Sequence, residues 1–368
     1  MTKQVWKVER FSTDVTSQIQ SMRYSTGRRT QFDSWSPGSL VLSIKNDSGQ
    51  ANGYDLNDKI TLTAVGTYFY QYHYVQEVLF NDLGGAGKGS TATIVCTDLM
   101  GRLGRISVFE KSLPSAGTLA QLDTAFSSLM PSGTYLTNFN DGESTAAADP
   151  SYTGTALNRL NLNMTTEQGW ISVCDYAIYL FSRADIDDLY GDIIFAREAS
   201  GSLQFGYSDI KRIALGSNYL NSCTAIPPVA AQQNAENASG VSTFGTYGAE
   251  FSTVDNTATQ AHDFAEWQVY SRSDPDEVSF QISVSDTANS LLGYFDELQS
   301  NYGVVTVSYQ KPGTPTDLTS TQIIQGWSMT VTPAKTDMEI FTSPLTYTNF
   351  FTLNSATFGV LDTSRLGW

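Results

Sequence analysis

The chain has 368 residues, enough for two or three domains each with a core of its own, and a net charge of −16. So acidic a surface repels duplex nucleic acid and anionic membranes. Charged residues make up only 16%, against the roughly one quarter usual in globular chains, and Ser, Thr, Asn, Gly and Tyr stand in their place, a mixture that suits strands and turns.

Taken in chain order, the first hundred residues predict strands. WKVERF, SMRYSTGRR, SLVLSIKN, DKITLTAV, YQYHYVQEVLF and TATIVCTD are short, rich in branched and aromatic residues, and separated by turn residues. Such spacing suggests a β-barrel or sandwich. After the Pro114–Gly117 break, Leu119, Leu122, Phe126 and Leu129 recur at helical spacing. Residues 131–154 are expected to be a loop and 154–166 a second helix. GWISVCDYAIYLFSR reads as a hairpin with Asp175 and Tyr176 near its turn. Strand-like runs occupy 191–225, and the turn-rich 226–240 is the best internal boundary. A helix follows, with Asn256 as its N-cap and Ala258, Ala261, Phe264 (or Ala265) and Trp267 on one face. A further helix is expected over 287–299, and the remainder is β-like. No fixed-period repeat is visible. The fold class is mainly β with a few helices.

Candidate chemistry is sparse. The chain has two histidines, His73 and His262, whereas hydrolytic triads and zinc enzymes need well-supported ones. His73 reads as a surface or interface strand residue. His262 precedes Glu266 by four residues, so the pair could share one helix face, but spacing supplies no third ligand. GGAGKGS at 84–90 is similar to a phosphate loop, yet Lys88 is followed by Gly89 and then a strand, so it reads as a hairpin tip. Asp185, Asp187, Asp188 and Asp192 lack EF-hand spacing and read as a solvated turn. Carboxylate pairs distant in sequence remain open. Cys96, Cys174 and Cys223 form no CxxC pair, which argues against a disulfide framework or a zinc site. Lys3, Lys7, Arg10, Arg23, Arg28 and Arg29 make the N-terminal stretch locally basic, a solvated or interface-lining face, with nucleic-acid contact the sharper alternative. The N-terminus lacks the apolar core of a signal peptide, and no run is long enough to span a bilayer. No catalytic, cofactor-binding or metal residue is assigned.

Several stretches resemble the minor tail proteins of long-tailed bacteriophages, a family related to tail-hub and baseplate-hub proteins. Residues 13–49 carry its succession of a strand, a Gly-Arg turn, an aromatic and glycine turn and a second strand, with Gly27, Arg28, Arg29, Phe32, Trp35, Gly38, Asn46 and Asp47 at these places. Residues 92–106 are similar to its strand-Asp-helix step, with Asp98 and Leu103. The Tyr207-Ser208-Asp209-Ile210 run and residues 241–275 resemble its Tyr-Gly turn and Ala-rich helix. The C-terminal GWSMTVTPAKTDMEIF and FFTLNSATFGVLDTSRLGW resemble its endings. The order of these segments along one chain carries the resemblance; 131–154 has no counterpart in it.

The resemblance implies a structural component of a phage tail tip and not an enzyme. It would be a hub or minor tail protein whose ring joins the tail tube to the tip or fibres and lines the path of DNA and tape-measure protein. It implies hub-like β-barrel domains: an N-terminal ring domain at 1–110, a peripheral α+β domain at 111–225, and a C-terminal α+β/β ring domain with a C-terminal arm at 226–368. Expected partners are the chain itself, as a homotrimer or a six-fold ring, and the tube, distal-tail, tape-measure and fibre proteins. No cofactor, specific nucleic-acid recognition or membrane insertion is expected. The expected location is the virion tail, after synthesis in the host bacterial cytoplasm. Two other readings stay open. One is a distal-tail or receptor-binding protein that contacts host-surface glycan through Tyr68, Phe69, Tyr70, Tyr72 and Tyr74. The other is an enzyme acting on cell-wall glycan.

Overall fold

The structure, a computed structural model, describes residues 6–66, 69–81, 89–138, 140–186, 193–198, 204–214, 218–273, 278–285, 303–314, 316–333, 335–344, 350–351 and 365–366. Strands dominate, with five α-helices among these residues: α1 (Leu99–Arg105), α2 (Thr118–Phe126), α3 (Ala156–Glu167), α4 (Ala238–Phe244) and α5 (Ala258–Arg272). The chain is therefore mainly β with few helices.

Period-two alternation builds the main sheet. In Ser39–Lys45, Leu40, Leu42 and Ile44 are buried, and in Thr91–Thr97 the same holds for Ala92, Ile94 and Cys96. These faces meet in one core. It takes Leu40, Leu42, Ile60, Leu62 and Ile94 from the first hundred residues and Phe280, Ile282, Val305, Trp327 and Ile340 from the last hundred. Trp327 joins the two groups, its ring 4.7 Å from that of Tyr24 and 5.7 Å from that of Phe69.

Fourteen strands share this sheet, and within it one arrangement occurs twice. Ile19–Gly27 pairs with Ser39–Lys45, which pairs with Thr91–Thr97, then Tyr70–Asn81, then Lys59–Ala64. Asp209–Ala214 pairs with Val278–Ser285, which pairs with Thr336–Pro344, then Leu318–Val331, then Val304–Tyr309. Both sets are antiparallel throughout and follow the same order in sequence. The fourth strand of each set is long and bulges at a glutamine, Gln76 in one and Gln325 in the other.

The closed barrel expected from strand spacing is not found among the described residues. The reason is Leu318–Val331, which carries Val304–Tyr309 and Ile19–Gly27 in succession along one edge and Thr336–Pro344 along the other. The two sets therefore merge into one branched sheet, whose main path ends at Thr13–Asp14 and Gln204–Gly206.

A second core packs α1, α2 and α3 against the expected hairpin, now seen as Trp170–Cys174 and Ala177–Phe181. A third sets α5 on Ser222–Ile226, flanked by Gln233–Glu236 and Gly248–Ser252. Three local expectations need correction. Residues 131–154 are not one loop, since they hold Tyr135–Asn138, Thr145–Ala146 and Asp149–Thr155. The connection 226–240 contains Gln233–Glu236 and the start of α4. Such short strands take their pairing from distant partners rather than from local propensity. Thr257, not Asn256, caps α5, its hydroxyl accepting from the Gln260 N–H at 3.2 Å. The helix expected over 287–299 lies outside the described residues.

Candidate assembly surface

Ile19–Gly27 runs antiparallel to the second half of Leu318–Val331, with Met22 opposite Val331 and Gly27 opposite Gly326. The two backbones approach so closely that a Cβ on Gly27 would stand 2.3 Å from the Gln325 carbonyl oxygen, and one on Gly326 2.5 Å from that of Thr26. Gly27 also has a φ of +78°, a conformation that costs a glycine little. Beyond it Arg28 locks the seam. Its N–H donates to the Gln325 carbonyl at 2.9 Å and its Nε to the Gln325 side-chain oxygen at 2.8 Å. Its half-buried guanidinium lies 4.2 Å over the Trp35 ring and 5.1 Å from that of Trp170, both rings buried, within cation–π range.

The following residues extend the clamp. Arg29 lies over Phe341, and the Gln31 N–H donates to the Ser343 hydroxyl at 3.1 Å. Arg272, at the end of α5, sits 3.9 Å over the Phe32 ring. Trp35 exchanges two hydrogen bonds with Asn161 of α3. The Gly38 N–H donates to the buried Asp98 carboxylate at 2.7 Å, and the other oxygen of that carboxylate accepts from Gly101 in the first turn of α1 at 3.0 Å. Gly27, Arg28, Arg29, Phe32, Trp35, Gly38 and Asp98, singled out by resemblance, thus form one continuous clamp. It ties the main sheet to both smaller cores.

A second junction is built around carboxylates. Glu167, the last residue of α3, is buried and accepts from the Thr118 hydroxyl and from the Glu143 and Ser144 N–H groups. The Val254 N–H donates to Thr166 Oγ1 at 3.1 Å, and the Ala147 N–H to the Val254 carbonyl at 2.7 Å. Asp255 is buried beside them, and no hydrogen bond of good geometry reaches either of its carboxylate oxygens among the described residues. Burial pushes this carboxyl up to about 6. Glu167 and Asp263 add to the shift, while the Thr253 hydroxyl and Arg183 oppose it.

The other residues read from the sequence scatter. His73 is not at the surface. Its register opposite Ile60 turns it into the core, 5.4 Å from the Tyr24 ring, and burial lowers its pKa to about 3. The ring is therefore neutral near neutral pH. His262 faces Glu266 at 3.4 Å, and no group of three metal-ligating residues occurs among the described residues. Of the aromatic run, Phe69 and Tyr74 are buried, Tyr70 and Tyr72 are half-buried with their hydroxyls 3.2 Å apart, and Tyr68 lies outside the described residues. Asp185 accepts from the Ser182 N–H and hydroxyl and from Asn140, while Asp187, Asp188, Asp192 and Lys88 lie outside the described residues. Arg10 pairs with Asp58, and Arg28 and Arg29 serve the clamp, so much of the basic stretch is spent inside the chain. Cys96, Cys174 and Cys223 are buried apart, and no disulfide joins them. No helix among the described residues is long and apolar enough to cross a membrane. Sequence reasoning missed Leu79, Phe80 and Ile213, apolar strand residues that stand exposed. In the sequence they are indistinguishable from core residues.

The amino-acid sequence matches no family model and no curated protein. Solved structures do match. A tail protein from Neisseria meningitidis superimposes with a TM-score of 0.62 at 9% identity, covering 94% of this chain and 99% of its own. The 43 kDa tail protein of prophage MuSo2 from Shewanella oneidensis gives 0.59 at 10%, covering 93% and 99%. The prophage tail protein gp18 from Listeria monocytogenes gives 0.54 at 10%, covering 92% and 94%. This chain shares its fold with these tail proteins over more than nine-tenths of its length.

Two predictions follow from the junctions. Gly326→Val forces a side chain into the seam and lowers stability by about 1–3 kcal/mol or more, read as a fall in melting temperature. Gly206→Ala, with open space around it, leaves the melting temperature nearly unchanged. Asp255 holds its proton more tightly folded than unfolded, where its pKa is about 3.9. Its contribution is therefore full below about pH 4 and is lost as pH rises through about 6. Denaturant titrations from pH 4 to 7 should show Asp255→Asn removing part of that loss; an unchanged slope contradicts the assignment.

Proposed function

We propose that this protein is a structural component of a bacteriophage tail, a hub or minor tail protein. Its ring would join the tail tube to the tip or fibres and line the path of DNA and tape-measure protein. The observation that carries this reading is the five-strand set that occurs twice in one chain, within a fold shared over more than nine-tenths of the chain with phage tail proteins. Two similar sets per chain let a few copies present twice as many similar faces to a tube of higher symmetry. Closed rotational assembly is the usual mode for such subunits.

In this reading the N-terminal ring domain spans 1–110, the peripheral domain 111–225 and the C-terminal ring domain 226–368, with Asp209–Ala214 lent to the last from the middle segment. The protein works by packing and not by catalysis, without cofactor, specific nucleic-acid recognition or membrane insertion. Its partners are further copies of itself, as a homotrimer or a six-fold ring, and the tube, distal-tail, tape-measure and fibre proteins. Its location is the virion tail, after synthesis in the host cytoplasm. The glycan-adhesion reading has less to stand on, because Phe69 and Tyr74 pack inside.

Light scattering of the purified chain across a concentration series should give a discrete oligomer of three or six copies. Antibodies against it should label virion tails in electron micrographs. A monomer at every concentration, with unlabelled tails, overturns the proposal.

A further inference from the structure

The twofold occurrence of the five-strand set has an asymmetry at its edges. In the second set, the part of Leu318–Val331 that follows the Gln325 bulge is paired on both sides, with Thr336–Pro344 and with Ile19–Gly27, the first strand of the other set. In the first set, the equivalent part of Tyr70–Asn81 follows the Gln76 bulge. There, among the described residues, Glu77–Asn81 pairs only with Thr91–Thr97, because the pairing with Lys59–Ala64 ends at Tyr74. Asp209–Ala214, the equivalent of Ile19–Gly27, likewise pairs only with Val278–Ser285 among the described residues. Among the described residues, one set has at this place the partner that the other lacks.

We infer that the Glu77–Asn81 edge of one copy pairs antiparallel with Asp209–Ala214 of the next copy, repeating between chains the seam found within each chain. This rests on the ring-forming reading above and names the contact that would close the ring. The register follows by stepping through the two ladders. Glu77 lies opposite Val95 as Gly326 lies opposite Phe341, which makes these two pairs equivalent. From Ile94 through Leu42 the ladder reaches Met22, and from Ile340 through Ile282 it reaches Ile210, so Met22 and Ile210 are equivalent. The internal seam sets Ser328 opposite Ser25, Met329 opposite Tyr24 and Thr330 opposite Arg23. Carried across, Leu79 falls opposite the neighbour's Ile213, Phe80 opposite Arg212 and Asn81 opposite Lys211.

The side chains suit this register. Leu79 and Phe80 are each 49% exposed and Ile213 42%, and each lies on a strand segment paired on one side only among the described residues. The pairing covers Leu79 with Ile213 on one face of the joined sheet, and lays Arg212 beside the Phe80 ring on the other. An edge with apolar side chains and open backbone hydrogen-bonding groups recruits another strand.

Directly opposed residues of antiparallel strands lie about 4.5–5.5 Å apart at Cα, within disulfide reach, and diagonal ones at about 7–8 Å are not. The test is the full-length chain carrying both Leu79→Cys and Ile213→Cys under mild oxidation. The expected result is a ladder of disulfide-linked multimers on a non-reducing gel, ending at the size of the native oligomer. Each single variant, and the slipped pair Leu79→Cys with Lys211→Cys, should give none. A discrete oligomer by light scattering without the ladder overturns this contact and leaves the ring reading standing. A monomer without the ladder overturns both. Equal cross-linking by the slipped pair overturns the register.

Discussion

Ile19–Gly27 and Leu318–Val331, strands from opposite ends of the chain, join in one ladder, and where it meets the Gln325 bulge, at Gly27 and Gly326, their backbones come too close for either position to carry a side chain. Either Cβ would fall well inside contact distance of the other strand's backbone. That approach lets Ile19–Gly27 continue the edge of Leu318–Val331, and so turns two five-strand sets into one sheet over one core. Trp327 shares in it, since the register that opposes it to Thr26 also aims its ring at Tyr24 and Phe69. The Arg28 hydrogen bonds to Gln325 close the end of the seam, and the Gly27–Gly38 segment then carries its order into the two smaller cores. Contacts this distant in sequence bring loop-closure entropy with them, so the seam depends on the rest of the core as much as it organises it.

Much of the first hundred residues was legible, because half-buried antiparallel strands alternate in and out and Gly, Asn and Asp mark their turns. The hairpin about Asp175 and Tyr176 and the helices α2 and α3 were legible for similar local reasons. The short strands within 131–154 were not, because Thr145–Ala146 is a strand only by virtue of Ala116–Gly117 opposite it. His73 was misplaced because a strand of alternating aromatics offers no inward phase until its neighbours fix the register. The barrel expectation failed on connectivity. Strand spacing indicates how many strands there are, and not that one of them divides its edge between two partners.

The candidate site was legible in part and for an indirect reason. Resemblance drew attention to Gly27, Arg28, Trp35 and Gly38 as residues at the family's turns. What they assemble within the chain is the chain itself, since their contacts run to Gln325, Asn161 and Asp98. The strand segments paired on one side only among the described residues hold residues that no motif marks. Leu79, Phe80 and Ile213 stand out only once the two sets are superimposed and one is seen to lack what the other has. A repeat of strand order without a repeat of sequence leaves no fixed period in the residues, which is why none was visible.

A sheet in which one five-strand arrangement occurs twice, with strand segments paired on one side only among the described residues, is suited to forming a larger object. Electron microscopy of the purified full-length protein tests that most directly. The account predicts closed rings in which each copy contributes two similar densities, so that three copies appear as six lobes around a central opening. A field of single compact particles, or open filaments without closure, would contradict it.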